Sequence, residues 1–276
     1  MGESAPDFAG RNVFVAGGTS GINLGIALAF ARAGATVGVL SRSAEKVSAA
    51  VESLESAGAP AAAGYAADVR DMDGVQGAVD GHAGKFGELD IVVSGAAGNF
   101  PALAQDLSAN GFRTVLDIDV QGSFHVLKAV YPHLRRPGAS IVNISAPQAE
   151  APMAAQVHVC AAKAGVDMLT RVLALEWGPE GIRVNSIIPG PIEGTEGMRR
   201  LAPGEQALEA IRLTVPTRRL GTVDDIANVA MFLASPLGDY VSGAVIPVDG
   251  GWSLGGDQVA MAEMAKLFAA ADKKSS

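Results

Sequence analysis

The sequence predicts a doubly wound α/β fold, a mostly parallel sheet in a Rossmann-type three-layer α/β/α arrangement, built as a single domain over residues 1–276. Three observations predict it. Short apolar runs alternate with helix-length segments along most of the chain. A glycine-rich turn, Gly17-Gly18-Thr19-Ser20-Gly21, follows the first such run. Apolar residues make up 49% of the chain and charged residues 18%, enough to bury parallel strands on both faces.

Asn12 to Ala16 reads as a short buried strand, and the alanine-rich stretch Leu24 to Ala33 beyond the glycine turn as a helix. Gly34 closes that helix, Ala35 to Leu40 forms a second strand, and Ser43 caps a helix running to Ala57. This completes a βαβ unit, whose crossover is right-handed. The alternation continues with a strand at Ala62 to Ala67, a helix from Asp71 to Phe86 and a strand at Ile91 to Val93. A long helix from about Ser108 to Leu134, a strand at Ser140 to Ile144 and a second long helix from Met153 to Trp177 follow. Arg183 to Ile188 then reads as a strand entering a proline-broken loop.

Two segments break the rhythm. Residues 189–216 are rich in Gly, Pro and charge and follow the carboxyl end of a strand, where ligands of open α/β sheets bind, so they form a candidate substrate lid. In the tail, residues 257–276, the spacing of Val259, Met261, Met264, Leu267 and Phe268 suggests an amphipathic helix that docks on a neighbouring subunit.

The formal charge of −8 argues against nucleic acid and anionic membrane as partners, so an anionic ligand must meet local arginines. Cys160 is the single cysteine, which excludes an internal disulfide and fits a reducing cytoplasm; no Cys/His cluster has metal-ligand spacing, so no metal is expected. Met1 to Gly10 carries Glu3 and Asp7 without a basic segment and an apolar run, unlike a secretory signal, and no apolar stretch is long enough to span a bilayer.

The turn carries the first functional signal. Backbone N–H groups at a helix N-terminus form an anion site, and Gly17 and Gly21 let a pyrophosphate approach the main chain. At the end of the second strand, where an acidic residue would favour NAD, stand Ser41 and Arg42. A guanidinium there either pairs with the 2′-phosphate of NADP(H), the reading adopted, or is a solvated residue before a helix. Asp68, ending the third strand, is placed to accept a hydrogen bond from the adenine amino group.

These features, with Ser94-Gly95-Ala96-Ala97-Gly98, Ala161-Ala162-Lys163-Ala164-Gly165, Pro189-Gly190 and Val248-Asp249-Gly250-Gly251, resemble the short-chain dehydrogenases/reductases over almost the whole chain. The resemblance implies cofactor contacts at Gly17, Thr19, Ser20, Gly21, Ile22, Arg42, Asp68, Val69, Ala96, Lys163, Pro189, Gly190, Ile192 and Thr195. It also implies that Lys163 binds the nicotinamide ribose. The family's proton-donating Tyr, four residues before that Lys, is Val159 here, and the Ser that orients a substrate carbonyl is Ala146. Neither can exchange a proton. Ser145 and His158 stand one residue away, on backbone sites whose side chains should point elsewhere; His158 stays a candidate donor.

Reduction of an isolated ketone needs an acid beside the developing alkoxide, whereas reduction of a conjugated thioester leaves an enolate that donors can hold while carbon is protonated. A closer resemblance agrees. Ala96-Ala97-Gly98-Asn99-Phe100, Asp117-Ile118-Asp119, Gln156-Val157-His158, Glu176-Trp177-Gly178-Pro179 and Gly190 through Arg200 look like the 2,4-dienoyl-CoA reductases, especially the peroxisomal type. This implies an acyl-CoA substrate, Asp119 and Lys163 organising the active site through an ordered water, Asn99 and Phe100 lining the acyl pocket, and Arg42, Arg70 and Arg200 near the CoA end. It also implies a homotetramer, or a dimer, assembled through the two long helices. The ending Lys274-Ser275-Ser276 is not a peroxisomal address, which keeps the expected location cytoplasmic.

Asp119 could instead be a helix residue bonded only to backbone, Phe100 ordinary core, and the arginines solvated. Asn23 replaces the third glycine of the turn, and Ser94-Gly95-Ala96-Ala97 replaces the family's Asn-Asn-Ala-Gly. Asn23 is expected to be accommodated by its tolerance of left-handed backbone, and to crowd the phosphates. Three readings follow: an NADPH-dependent reductase of a conjugated acyl-CoA, an idle NADP-binding sensor or partner subunit, and a carbonyl or alcohol dehydrogenase with a non-standard acid.

Overall fold

The computed structural model describes residues 7–202 and 204–259, with Arg200 and Leu201 described by backbone only. Seven strands form one sheet: β1 (Asn12–Ala16), β2 (Thr36–Ser41), β3 (Ala62–Ala66), β4 (Ile91–Ser94), β5 (Ser140–Ile144), β6 (Arg183–Pro189) and β7 (Val245–Val248). Their order is β3-β2-β1-β4-β5-β6-β7, and every neighbouring pair is parallel. The expected mostly parallel sheet is thus wholly parallel. The order reverses between β1 and β4, which opens a crevice at the carboxyl ends of those two strands.

β1 shows why its run is continuously apolar. Val13 and Val15 enter one core with α1 (Gly21–Arg32), α2 (Ala44–Ser56) and α9 (Val223–Ala234). Phe14 and Ala16 enter the other, with α3 (Met72–Phe86), α5 (Gly122–Val130) and α6 (Val157–Trp177). A strand alternates its side chains between faces, and here both faces are covered by helices. The remaining helices are α4 (Ala109–Leu116), α7 (Glu196–Leu201) and α8 (Glu205–Thr214).

Several elements differ from the sequence-based expectation. The stretch expected as one helix over Ser108–Leu134 begins as foreseen, with Ser108 Oγ accepting from Gly111 N at 3.0 Å. It then passes through a π-helical segment, Asp117–Gln121, before continuing as α5 and ending in a 3₁₀ turn, Tyr131–His133. The second long helix starts at Val157, not Met153, because Ala155 takes φ 60°, outside the right-handed helical region. α1 starts at Gly21, three residues before the expected Leu24, so Asn23 is an ordinary helical residue. The candidate lid folds into α7 and α8. Beyond it, α9 opens with a capping box between Thr222 and Asp225 and leads to β7, two elements with no sequence-based assignment above. Of the tail expected at 257–276, residues 260–276 lie outside the described residues.

Candidate active site

The crevice at the carboxyl ends of β1 and β4 has a volume of about 270 Å³. Gly17 enters it with φ 78°. A Cβ at Gly17 would stand 2.9 Å from Ala96 N, so the turn and the segment after β4 approach as closely as only glycine allows. Gly21 has φ 55° and opens α1; Ser20, at the N-cap, is extended and makes no side-chain capping bond. The first-turn N–H groups therefore face the crevice without a side-chain acceptor at the cap. Across the groove, the Thr195 methyl lies 4.0 Å from where a Cβ on Gly21 would be, while the Thr195 hydroxyl caps α7 by accepting from Met198 N at 3.3 Å.

Of the expected cofactor residues, Gly17, Thr19, Ser20, Arg42, Asp68, Val69 and Ala96 line this crevice. Lys46 and Ile118 line it too and were not anticipated, and Asn23 lines it where it was expected to crowd the phosphates. Lys46 offered one signal, a cation in the first turn of the helix that follows Arg42. Ile22 packs against the core instead. Pro189 ends β6, Gly190 is pressed against Asp249 with no room for a Cβ, and the Ile192 side chain is buried in the core.

Asp68 holds a second finding. Arg70 Nε donates to its Oδ1 at 3.0 Å and Arg70 Nη2 to its Oδ2 at 2.6 Å. These bonds hold the Asp68 carboxyl below the usual carboxylate range, with Arg42 adding a weaker pull. Arg70, expected near the CoA end, is thus spent on the residue expected at adenine. The side chain of Arg200 lies outside the described residues.

Next to Ile118, which lines the crevice, the π-helical segment carries Asp119 inward, fully buried. π segments are rare and concentrate at functional sites, because the extra residue in the turn re-aims a side chain. Asp119 Oδ1 accepts from Gly98 N at 2.7 Å, and its Oδ2 forms an ion pair with Lys163 Nζ at 3.2 Å. Lys163 Nζ also donates to Ile144 O at 3.1 Å, at the end of β5. Among the described residues the bond to Ile144 O is the one hydrogen bond Nζ makes, the Asp119 Oδ2 contact being an ion pair without hydrogen-bond geometry, so N–H donors remain for a ligand.

Val159 is 2% exposed and packs with Val115 and Ala162, so no acid occupies the position four residues before Lys163. His158 is turned away onto the segment after β4. Its ring lies tilted by 40° against Phe100 with centroids 4.6 Å apart, and Nε2 donates to Phe100 O at 2.9 Å. Phe100 is partly exposed, at 36%, rather than core. Beneath Lys163, one turn along α6, Asp167 accepts from Ser186 Oγ at 3.0 Å, and burial pushes its carboxyl pKa up.

Among the described residues no helix is long and apolar enough to cross a membrane, and no group of three His, Cys, Asp or Glu could hold a metal ion.

Comparison with known proteins adds to this geometry. A family model described as enoyl-(acyl carrier protein) reductase matches residues 16–253. The peroxisomal 2,4-dienoyl-CoA reductase [(3E)-enoyl-CoA-producing] of Rattus norvegicus is 46% identical over 239 residues, covering 86% of this chain and 82% of that protein. A probable 2,4-dienoyl-CoA reductase [(2E)-enoyl-CoA-producing] of Bacillus subtilis is 37% identical, covering 87% of this chain and 96% of that protein. Among solved structures, the Pseudomonas aeruginosa RhlG/NADP active-site complex superposes with a TM-score of 0.83 at 30% identity, covering 91% of this chain and all of the other.

Proposed function

Because the chain belongs to the short-chain dehydrogenase/reductase family, and is therefore an oxidoreductase that uses a nicotinamide cofactor, we propose that it reduces 2,4-dienoyl-CoA thioesters with NADPH. One observation carries the reading: the buried Asp119–Lys163 pair is present while Val159 and Ala146 stand where a carbonyl reductase needs its acid and its orienting hydroxyl.

The crevice fits the dinucleotide. Gly17 and Gly21 have the positive φ that such a cradle needs, and Gly17 also the close approach. On this reading the N-terminus of α1 at Thr19, Ser20 and Gly21 holds the pyrophosphate, and Arg42 with Lys46 holds the 2′-phosphate of NADP(H). Asp68 and Val69 meet adenine, Ala96 lines the ribose, and Lys163 reaches the nicotinamide ribose with an N–H that Ile144 O does not take. The backbone around Pro189, Gly190 and Ile192, with Thr195, closes the other wall. NADPH, when bound, supplies the two electrons and the hydrogen that arrive at C5 of the substrate.

Electron density then moves through the diene onto the thioester oxygen, giving a dienolate. Protonation at C2 yields the 3-enoyl product and protonation at C4 the 2-enoyl product. The rat relative, the more similar of the two, is named for the (3E) product, which we adopt. Asp119 and Lys163 organise the proton delivered to C2 through an ordered water, and neighbouring donors hold the oxygen charge. Asn99 and Phe100 border the acyl chain. Arg200 belongs to the CoA end, whereas the Asp68 contact favours a place for Arg70 beside adenine.

We also propose a homotetramer. Phe124 of α5 and Met168, Val172 and Leu175 of α6 are large apolar residues exposed on the two helices expected to pair. The cytoplasm stays the proposed compartment on the single, unpaired Cys160. The rat relative's name is peroxisomal, and cell fractionation separates the two.

Purified protein should oxidise NADPH when given 2,4-hexadienoyl-CoA or a longer dienoyl-CoA, with the 3-enoyl product identified by mass spectrometry and NMR. Absence of turnover across dienoyl- and enoyl-CoAs, with NADPH still bound, would overturn the proposal in favour of a cofactor-binding protein without catalysis.

A further inference from the structure

Asn23 and Gly95, 72 residues apart, mark the two departures from the dinucleotide pattern, and they meet in a single contact. Asn23 Nδ2 donates to Gly95 O at 2.7 Å. The amide also fills the space that a side chain at 95 would need: a Cβ there would stand 2.5 Å from Nδ2 and 2.6 Å from Cγ of Asn23. Below the glycine turn, a Cβ on Gly17 would meet the same Nδ2 at 3.1 Å. One side-chain amide therefore joins the turn, the first turn of α1 and the segment leaving β4. Three residues along that segment, Gly98 N donates to Asp119 Oδ1 at 2.7 Å.

Stability alone does not account for Asn23. Its Oδ1 is buried with no hydrogen-bond partner, an arrangement that costs free energy and that alanine would avoid. What the amide provides is position. Glycine at 95 has the widest backbone freedom of any residue, and the bond to its carbonyl removes that freedom at the wall of the crevice.

We propose that Asn23 is a positioning residue that couples the dinucleotide turn to the Asp119–Lys163 pair through Gly95–Gly98, and that Gly95 is its obligatory partner. The proposal rests on the NADPH-binding reading above. The amide reaches this space from residue 23; an asparagine at 95 would deliver it from the opposite side, and both cannot be present together.

The test compares Asn23→Ala, Gly95→Asn and the double variant by NADPH fluorescence titration, turnover with dienoyl-CoA, and thermal melting. Asn23→Ala should weaken NADPH binding and lower kcat, each by about five- to tenfold, the size of one lost hydrogen bond, while its melting temperature holds. Gly95→Asn alone should do more damage, because two side chains then compete for one space. The double variant should improve on Gly95→Asn in both Kd and kcat, because a single side chain then occupies the space. A double variant no better than Gly95→Asn would overturn the proposal. So would an Asn23→Ala protein whose melting temperature falls while Kd and kcat stay unchanged. If the natural protein bound no NADPH, the functional reading itself would fail, and this inference with it.

Discussion

Lys163 Nζ lies 3.2 Å from Asp119 Oδ2, and the carboxylate of that ion pair is wholly buried. Removing one member leaves the other charge unpaired in the interior, a loss of about 3–5 kcal/mol for buried pairs. Asp119→Ala and Lys163→Ala should each lose at least about a hundredfold in turnover, as expected where proton transfer depends on the missing group, and melt earlier. Asp119→Asn keeps an acceptor for Gly98 N and should retain more stability than Asp119→Ala while turnover still falls. Steady-state NADPH oxidation and melting curves separate the two effects.

Arg42 and Lys46 both line the crevice. A guanidinium on a phosphate is worth about 1.5–3 kcal/mol. Arg42→Ala should therefore raise KM for NADPH by roughly ten- to a hundredfold while KM for NADH moves little. Equal effects on both cofactors would remove Arg42 from 2′-phosphate recognition.

His82 is fully buried, its Nε2 bonded to Asn12 Oδ1 at 2.7 Å, and its ring fills the space where Gly38 has no side chain. Burial, with a smaller contribution from Lys85, pushes its pKa down from 6.5 to about 4. The native state thus keeps His82 neutral where the unfolded chain already binds a proton. Stability falls as pH drops from 6.5 towards 4, by about 3 kcal/mol from this residue, and its contribution levels off below that window. In urea unfolding at pH 7, 5.5 and 4.5, His82→Gln should show a shallower loss across the window than the natural protein. Parallel curves would refute the assignment.

Leu175 is 79% exposed on α6, near Met168 and Val172. In a tetramer assembled through α5 and α6, Leu175→Glu places a charge in an apolar interface. Light scattering should then report a smaller species, whereas an unchanged mass would exclude this face from assembly.

Much of the fold was legible because its signals are local. β1 had to be continuously apolar to serve two cores, Gly17 and Gly21 had to be glycine to take positive φ, and Ser43 and Ser108 sit where their hydroxyls cap helices. The π segment at Asp117–Gln121 was not legible, since five residues are too few to separate one helical period from another. Ala155 gave no warning either, because an alanine in left-handed backbone is imposed by its surroundings.

Local chemistry in the sequence determined the strand and helix alternation, the dinucleotide turn, the retained Lys163 and the missing acid at Val159. The tertiary structure decided which distant groups meet. Asp119 reaches Lys163 only because the π segment turns it inward, and Asn23 finds Gly95 across 72 residues. Such pairings depend on side-chain direction and on the packing of separate elements, and neither is carried by residue type or spacing along the chain.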